Sequence, residues 1–280
     1  MADSSTTRSE GTRALPSTVR AWWLLYRTSA KAQLQYRANF VSAVLGGIAF
    51  QGVQLLFIGV LLNRFRTIGG WGFAEIAFMF GMRLASHAVY ILFFQPTSQT
   101  EQVVREGEFD RYLLRPVPAF VQLLTRRFPL MGLGDVALGV GTVVIFSALA
   151  PVEWTWWRLG YLVLAVIGGG LVESAVQTFI GSFAFRFVTV RSASYLVDNV
   201  ITSFAPYPLT IFGWGLYVLV FALPLGLVAY LPATALLGRA AEVPLPEWFV
   251  WGSPLLGVLL LLATHAWWQR MTRQYASPGS

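Results

Sequence analysis

Residues 40–62 read FVSAVLGGIAFQGVQLLFIGVLL, a run without a charged side chain. A helix needs about 20 mostly apolar residues to cross the hydrocarbon core of a bilayer. In lipid each backbone polar group must find its partner inside the segment, so an isolated apolar run crosses as a helix. This stretch therefore predicts a membrane-spanning helix.

The composition extends this prediction to the whole chain. Of its 280 residues, 56% are hydrophobic and 12% are charged, whereas a soluble domain carries about 25% charged residues. At about 20 residues per crossing, the length holds about six spans. We therefore expect an all-α integral membrane protein with six transmembrane helices. The other clear apolar runs are 73–94, 128–150, 159–185 and 248–268.

The stretch from Ser192 to Gly238 has no lysine or arginine, and four prolines interrupt it. As one helix it would be about 70 Å long, more than twice the hydrocarbon thickness. Its length fits one span or two. With one span at 207–230 and a short outer element at 232–240, fifteen cations outside the spans fall on one side and four on the other. Because lysine and arginine favour the cytoplasmic side, this bias predicts six spans with both termini cytoplasmic, in a bacterial inner membrane.

The segment before the first span has the pattern of a helix that lies in the membrane interface, with cations toward headgroups and rings toward acyl chains. Its cationic face holds Arg20, Arg27 and Lys31, and its apolar face holds Trp22, Leu25 and Tyr26. The alternative is a cytosolic helix packed on protein. We expect a disordered cytosolic tail at 1–18, the interfacial helix at 19–38, the membrane domain at 39–273 and a short tail at 274–280.

Several function classes are excluded by what the sequence lacks. A P-loop ATPase needs the lysine of G-x-x-x-x-G-K-[ST], but the only lysine, Lys31, follows Ser29 and Ala30 without a glycine. There is no cysteine, and the two histidines form no H-E-x-x-H motif. The arginines flank apolar runs, which suits membrane orientation and lipid headgroups rather than nucleic acid. We therefore expect neither an enzyme nor a nucleic-acid-binding protein.

The connection 95–127 between the second and third spans contains the most informative motif, REGEFDRYLLRPV at residues 105–117. Ser98-x-x-Glu101 has the spacing of a helix cap, and Gly107 suits a left-handed residue between two short helices. An apolar patch among charges is suited to docking on a soluble partner. The patch consists of Phe109, Leu113 and Leu114. The alternative is a solvated loop without a partner.

This motif resembles the signature of a six-span subfamily of ABC-2 type permeases, long classified as a domain of unknown function. The matching residues are Gly107, Asp110, Leu113, Leu114, Arg115 and Pro116. Looser matches are Trp71, Glu75, Tyr207, Pro208, Pro224 and Pro232. The resemblance extends from about residue 20 over nearly the whole chain.

The resemblance implies the permease subunit of an ATP-binding cassette transporter, often an exporter of drugs, antibiotics, lipids or polysaccharides. It implies a second permease chain, identical or related, and two copies of a separate ATPase that binds ATP and Mg. It also implies an interfacial amino-terminal helix, a coupling helix between spans two and three, and re-entrant outer helices after span five. Phe109, Leu113 and Leu114 would be the coupling anchors, and Glu108, Asp110 and Arg115 the orienting charges, with Gly107 and Pro116 shaping the helix.

Charged residues within spans are costly unless they are paired or wetted. The candidates are Arg83, His87, Asp135 and Glu173, with Glu75 nearer the outer interface. A structural ion pair of Arg83 with Asp135 or Glu173 is one interpretation. A substrate or translocation role is a second. A proton relay, which would make the chain an ion-coupled secondary transporter, is a third. A membrane scaffold without transport activity also fits the composition.

Overall fold

The computed structural model describes residues 18–35, 37–187, 189–212 and 223–276, and the regular elements in these ranges are helices. In chain order they are α1 Thr18–Leu34, α2 Arg37–Phe65, α3 Phe73–Phe94, α4 Thr100–Arg105, α5 Glu108–Leu113, α6 Ala119–Leu124, α7 Met131–Ser147, α8 Trp156–Ser182, α9 Arg191–Phe204, α10 Tyr230–Leu236 and α11 Glu247–Thr272. Short 3-10 turns continue or join several of them.

Among the described residues, four helical stretches are long and apolar enough to cross a membrane. They are Phe40–Phe65, Phe73–Arg105, Trp156–Phe185 and Glu247–Thr272. The third predicted span corresponds to α7, whose 17 residues extend over about 25 Å. The core of the fifth predicted span, residues 213–222, lies outside the described residues. The all-helical membrane class is thus confirmed, and the count of six spans stays a prediction.

Neighbouring helices alternate in direction where short loops join them. Gly81 of α3 lies against Val143 of α7, and Gly132 lies against Ile91, so α3 and α7 run antiparallel. In contrast, α8 and α11 run parallel, because Tyr161 donates a hydrogen bond to the carbonyl of Val250 near their starts. Their ends also meet, at the rings of Phe179 and Trp267.

Small residues allow this close packing of α8 on α11. A Cβ added at Gly168 would collide with the backbone of Pro254, and one at Gly257 would collide with the backbone of Gly168. Glycines at such crossings let helix backbones approach in membranes, where lipid is as apolar as the side chains.

Between α8 and α11 the chain passes from one end of the helix bundle to the other. We call the end that carries residues 95–127 the loop end, and the other the far end. Glu101 of α4 contacts the start of α9 at the loop end, whereas α10 lies at the far end, where Tyr230 packs against Trp71. The short helices that follow residue 223 occupy the region where the sequence predicted a short outer element.

The amino-terminal helix α1 packs on protein more than expected. Trp22 and Tyr26 stack at 4.9 Å, and the Tyr26 ring lies 5.8 Å from Phe93 and 5.3 Å from Phe128. The Tyr26 hydroxyl donates to the carbonyl of Leu92 at 3.0 Å, and burial raises the pKa of Tyr26 to about 12, so it stays a neutral donor. Both rings contact other rings of this chain but remain partly exposed, so the interfacial position of this helix stays a prediction.

Other terminal predictions fall partly outside the described residues. The predicted tail 1–18 includes residues 1–17, which the structure does not describe, and Thr18 already belongs to α1. The predicted interfacial helix 19–38 is divided, because α2 begins at Arg37. Residues 277–280 of the predicted carboxyl-terminal tail lie outside the described ranges, but Tyr275 packs on Phe109 at 4.9 Å.

Candidate functional site

The loop-end connection has the two short helices that its motif predicted. Helix α4 ends at Arg105, and Gly107 adopts a left-handed φ of 69° before α5 begins. The left-handed conformation predicted for Gly107 is confirmed. No atom of the described residues would obstruct a Cβ at this position, so within this part of the chain a substitution is opposed by the backbone conformation.

Phe109 lies inside the protein rather than on the exposed side of α5. Its side chain is 0% exposed, and its ring lies 4.8 Å from Phe185 and 6.3 Å from Trp268. These neighbours come from the ends of α8 and α11, so Phe109 fixes the loop to two spans. The prediction that Phe109 itself faces a partner is wrong, because tertiary packing covers it. Its buried cluster comprises Val103, Phe109, Tyr112, Leu123, Phe185, Trp268 and Met271.

The exposed side of α5 and the turn after it carry the rest of the motif. Leu113 is 57% exposed and Leu114 is 87% exposed. Both leucines stand among exposed basic side chains, as expected for apolar anchors with an orienting rim. We call this the docking surface, and it consists of Arg111, Leu113, Leu114, Arg115 and Pro116.

Hydrogen bonds and ion pairs hold this surface in place from behind. Gln122 donates to the carbonyls of Tyr112 at 2.9 Å and Val117 at 2.7 Å. Glu108, which we expected to orient a partner, instead pairs with Arg126 at 3.0 Å. Arg126 also pairs with Glu106 at 3.3 Å. The charges of Glu106, Glu108 and Arg126 are therefore paired with one another within the chain.

Glu101 makes a connection that the sequence did not reveal. Its Oε2 accepts hydrogen bonds from the backbone amides of Val190 and Arg191, each at 2.6 Å. A carboxylate at the start of a helix satisfies free amides and interacts favourably with the helix dipole. The predicted Ser98-x-x-Glu101 cap is wrong, because Ser98 donates to the carbonyl of Gln95 instead. Glu101 thus links the loop to α9, and we call this contact the Glu101 clasp.

A buried polar cluster lies between α3, α8 and α9. Nδ1 of His87 lies 2.5 Å from Oε1 of Glu173. One carboxylate oxygen of Asp198, on α9, lies within 4.8 Å of ligand atoms of both residues. The structure therefore brings two of the predicted intramembrane residues together and adds Asp198. The sequence signal for Asp198 was available, since it is the sole charged residue between Arg191 and Arg239.

Arg83 is buried beside this cluster but has another partner. Its Nη2 donates to Oγ1 of Thr202 at 2.8 Å. Within the described ranges no ion pair joins Arg83 to Asp135 or Glu173, so that predicted pairing is wrong. Asp135, 6% exposed on α7, is buried but does not belong to the three-residue group of His87, Glu173 and Asp198.

At the far end, Glu75 forms a hydrogen bond and an ion pair within the chain, which the sequence did not indicate. It accepts the Gly72 amide at 2.8 Å and pairs with Arg239 at 3.0 Å. The Arg239 guanidinium lies 4.1 Å from the centre of the Trp71 ring, a cation–π distance. Burial acts to lower the pKa of Arg239, but the carboxylates of Glu242 and Glu75 outweigh it and raise the pKa.

We expect Glu75→Gln to destabilise the far end by about 1–3 kcal/mol, because Arg239 would lose a charged partner in a mostly buried position. Thermal unfolding of the purified chain in detergent measures the effect. The matched control is Glu153→Gln, since Glu153 is an exposed partner of Arg158 at 3.4 Å and exposed pairs contribute about 0–1 kcal/mol. Equal, small shifts in both variants would contradict the structural role of Glu75.

Together these features define a multi-pass membrane protein with a structured loop between two of its membrane helices. A family model described as ABC-2 family transporter protein matches residues 48–279. The chain belongs to the ABC-2 transporter family, and the resemblance seen in the loop motif is confirmed. The match leaves out α1 and the first turns of α2. Searches of curated proteins and of solved structures each found no match.

Proposed function

We propose that this chain is the permease subunit of an ABC exporter in a bacterial inner membrane, driven by a separate ATPase. ABC-2 permeases generally pair with an ABC ATPase. The chain has no Walker A lysine, so ATP and Mg bind on that partner in this proposal. The substrate would be of the drug, antibiotic, lipid or glycan type.

The docking surface is the observation that carries the proposal. Leu113 and Leu114 are exposed at the edge of a loop that Phe109 anchors to α8 and α11. Apolar side chains in such positions contribute most of the binding energy when a partner buries them. A rigid connection to two spans is what a loop needs to transmit the movement of an ATPase to the membrane helices.

The proposed assembly contains two permease chains, identical or related, and two ATPase copies. Most of the surface of α2 is available to contact a partner or lipid, because only 17% of its most apolar 18 residues are buried within the chain. The exposed side chains on it include Leu45, Phe50, Val53, Leu56, Phe57 and Val60.

Six crossings with both termini in the cytoplasm belong to this proposal, and the helix directions support them. Since α8 and α11 run parallel, the chain between them has to return to the far end. It leaves the loop end at the Glu101 clasp and reaches the far end by Tyr230. One crossing in this stretch satisfies both contacts.

The topology is testable directly because the chain lacks cysteine. A single cysteine at Ser5 or Ser277 should resist a membrane-impermeant maleimide in intact cells and react after the inner membrane is opened. A cysteine at Glu153, in the α7–α8 connection, is the control and should react in cells whose outer membrane is permeable. Labelling of both terminal positions from outside would reverse the proposed orientation.

The function is tested by co-expressing the chain with a candidate ABC ATPase, for which the genes beside its own are the first to search. We expect the pair to copurify and to hydrolyse ATP, whereas the permease alone should not. Leu114→Ala should weaken the complex by about 1–3 kcal/mol, and Leu149→Ala, at an exposed position after α7 at the far end, is a control that should leave it unchanged. Transport without any ATPase, driven by an ion gradient, would favour the secondary transporter, and a complex without transport would favour the scaffold.

A further inference from the structure

The polar cluster has the composition of a metal site. His87, Glu173 and Asp198 offer one nitrogen and two carboxylate oxygens that all lie within 4.8 Å of one another. Imidazole and carboxylate groups together suit divalent transition metals such as Zn²⁺. Two ligands of one such ion lie about 3–4.2 Å apart. Side-chain rotations that separate Nδ1 of His87 from Oε1 of Glu173, now 2.5 Å apart, and draw Asp198 closer would bring all three into range.

A second observation points to a missing ligand. Glu173 is 0% exposed, and its second oxygen, Oε2, has no hydrogen-bond partner among the residues that the structure describes. A buried carboxylate oxygen without a partner is costly, and native proteins rarely leave one so. A bound cation would satisfy it.

The charges around the cluster also favour a cation. Glu173 and Asp198 contribute two negative charges when ionised. Arg83, buried beside them, contributes one positive charge, but among the described residues it forms no ion pair with either carboxylate and donates to Thr202. Buried charges of one sign have to be paired or coordinate a metal. A divalent cation would pair directly with both carboxylates, which Arg83 does not, and His87 would be a neutral ligand.

The site has an approach from the loop end. A cavity of about 140 Å³ lies between α3, α8 and α9, and Asp198 stands on its wall. The remaining wall is largely polar and includes Ser98, Gln99, Gln177, Arg191 and Ser194. A hydrated ion could thus exchange its waters for Asp198 before it reaches the buried pair.

We propose that His87, Glu173 and Asp198 bind one divalent transition-metal cation between α3, α8 and α9. The ion would tie α9 to α3, which leads into the loop 95–127, and to α8, against whose end Phe109 packs. This proposal requires neither an ATPase nor a transport substrate, so it stands or falls separately from the proposed function.

The test uses the full-length chain in lipid nanodiscs, purified without a polyhistidine tag, which would itself bind metal. Equilibrium dialysis against Zn²⁺, followed by elemental analysis, should give one tight equivalent per chain. His87→Gln and Asp198→Asn should weaken that binding at least about tenfold, since even outer residues of metal sites contribute about 10–100-fold. The matched controls His265→Gln and Glu153→Gln should retain it.

The absence of a tight equivalent in the unmodified chain, or unchanged binding in both cluster variants, would overturn the proposal. A variant that misfolds does not block the test, because X-ray absorption of the Zn²⁺-loaded unmodified chain reports the ligands directly. One imidazole nitrogen with oxygen neighbours supports the assignment. A shell of oxygen alone, or one with two imidazoles, contradicts it.

Discussion

Phe109→Ala should detach the loop from the membrane helices and abolish ATP-driven transport. The side chain is fully buried against Phe185, Trp268 and Tyr275. Truncating a buried phenylalanine to alanine costs about 3–5 kcal/mol, because packing is lost and a cavity remains. That is comparable to the stability of a small structural unit, so α5 should lose its fixed position.

Limited proteolysis separates this effect from loss of a docking contact, whereas ATPase binding does not. Limited proteolysis should cut Phe109→Ala within residues 105–117, whereas Leu114→Ala, at a highly exposed position, should resist cleavage as well as the unmodified chain does. Both variants should bind the ATPase less tightly. If Phe109→Ala were as protease-resistant as Leu114→Ala, the buried cluster would not be what holds the loop.

The difference between these two positions explains part of what the sequence could predict. The spacing of Phe109, Leu113 and Leu114 identified an apolar patch on a short helix, and the helix is present. Which side of a six-residue helix faces inward depends on Phe185 and Trp268, which lie far away along the chain. Local pattern therefore predicted the element and its left-handed Gly107 but not the direction of the ring.

The same limit applies to the intramembrane charges. Arg83, His87 and Glu173 stood out because charge inside an apolar run is rare, and all three are buried. Their partners depend on helix neighbours, and α9 brings Thr202 to Arg83 and Asp198 to the His87–Glu173 pair. Asp198 is the sole charged residue between Arg191 and Arg239, but its neighbours His87 and Glu173 lie on other helices, so local pattern does not identify the group.

Glu101→Ala should release the start of α9 and uncouple ATP hydrolysis from transport. The substitution leaves the amides of Val190 and Arg191 without their acceptor. Each orphaned amide costs about 1–3 kcal/mol if it stays buried, so the first turn of α9 should open to find water. The helix carries Thr202 and Asp198, and the disturbance would therefore reach the buried polar residues.

Hydrogen exchange of a peptide that spans the start of α9 measures the release. We expect faster exchange there in Glu101→Ala and an intermediate rate in Glu101→Gln, whose amide oxygen can still accept but carries no charge. Glu106→Ala is the matched control on the same loop. It removes an exposed partner of Arg126, and such pairs contribute about 0–1 kcal/mol.

Binding of the ATPase distinguishes coupling from docking. The docking surface lies on α5 and the turn after it, whereas Glu101 on α4 faces α9. Glu101→Ala should therefore keep most of the ATPase affinity and of the basal hydrolysis while transport falls. If exchange at the start of α9 were unchanged in this variant, the clasp would not hold that helix. If ATPase binding fell as far as in Leu114→Ala, Glu101 would belong to the docking element instead.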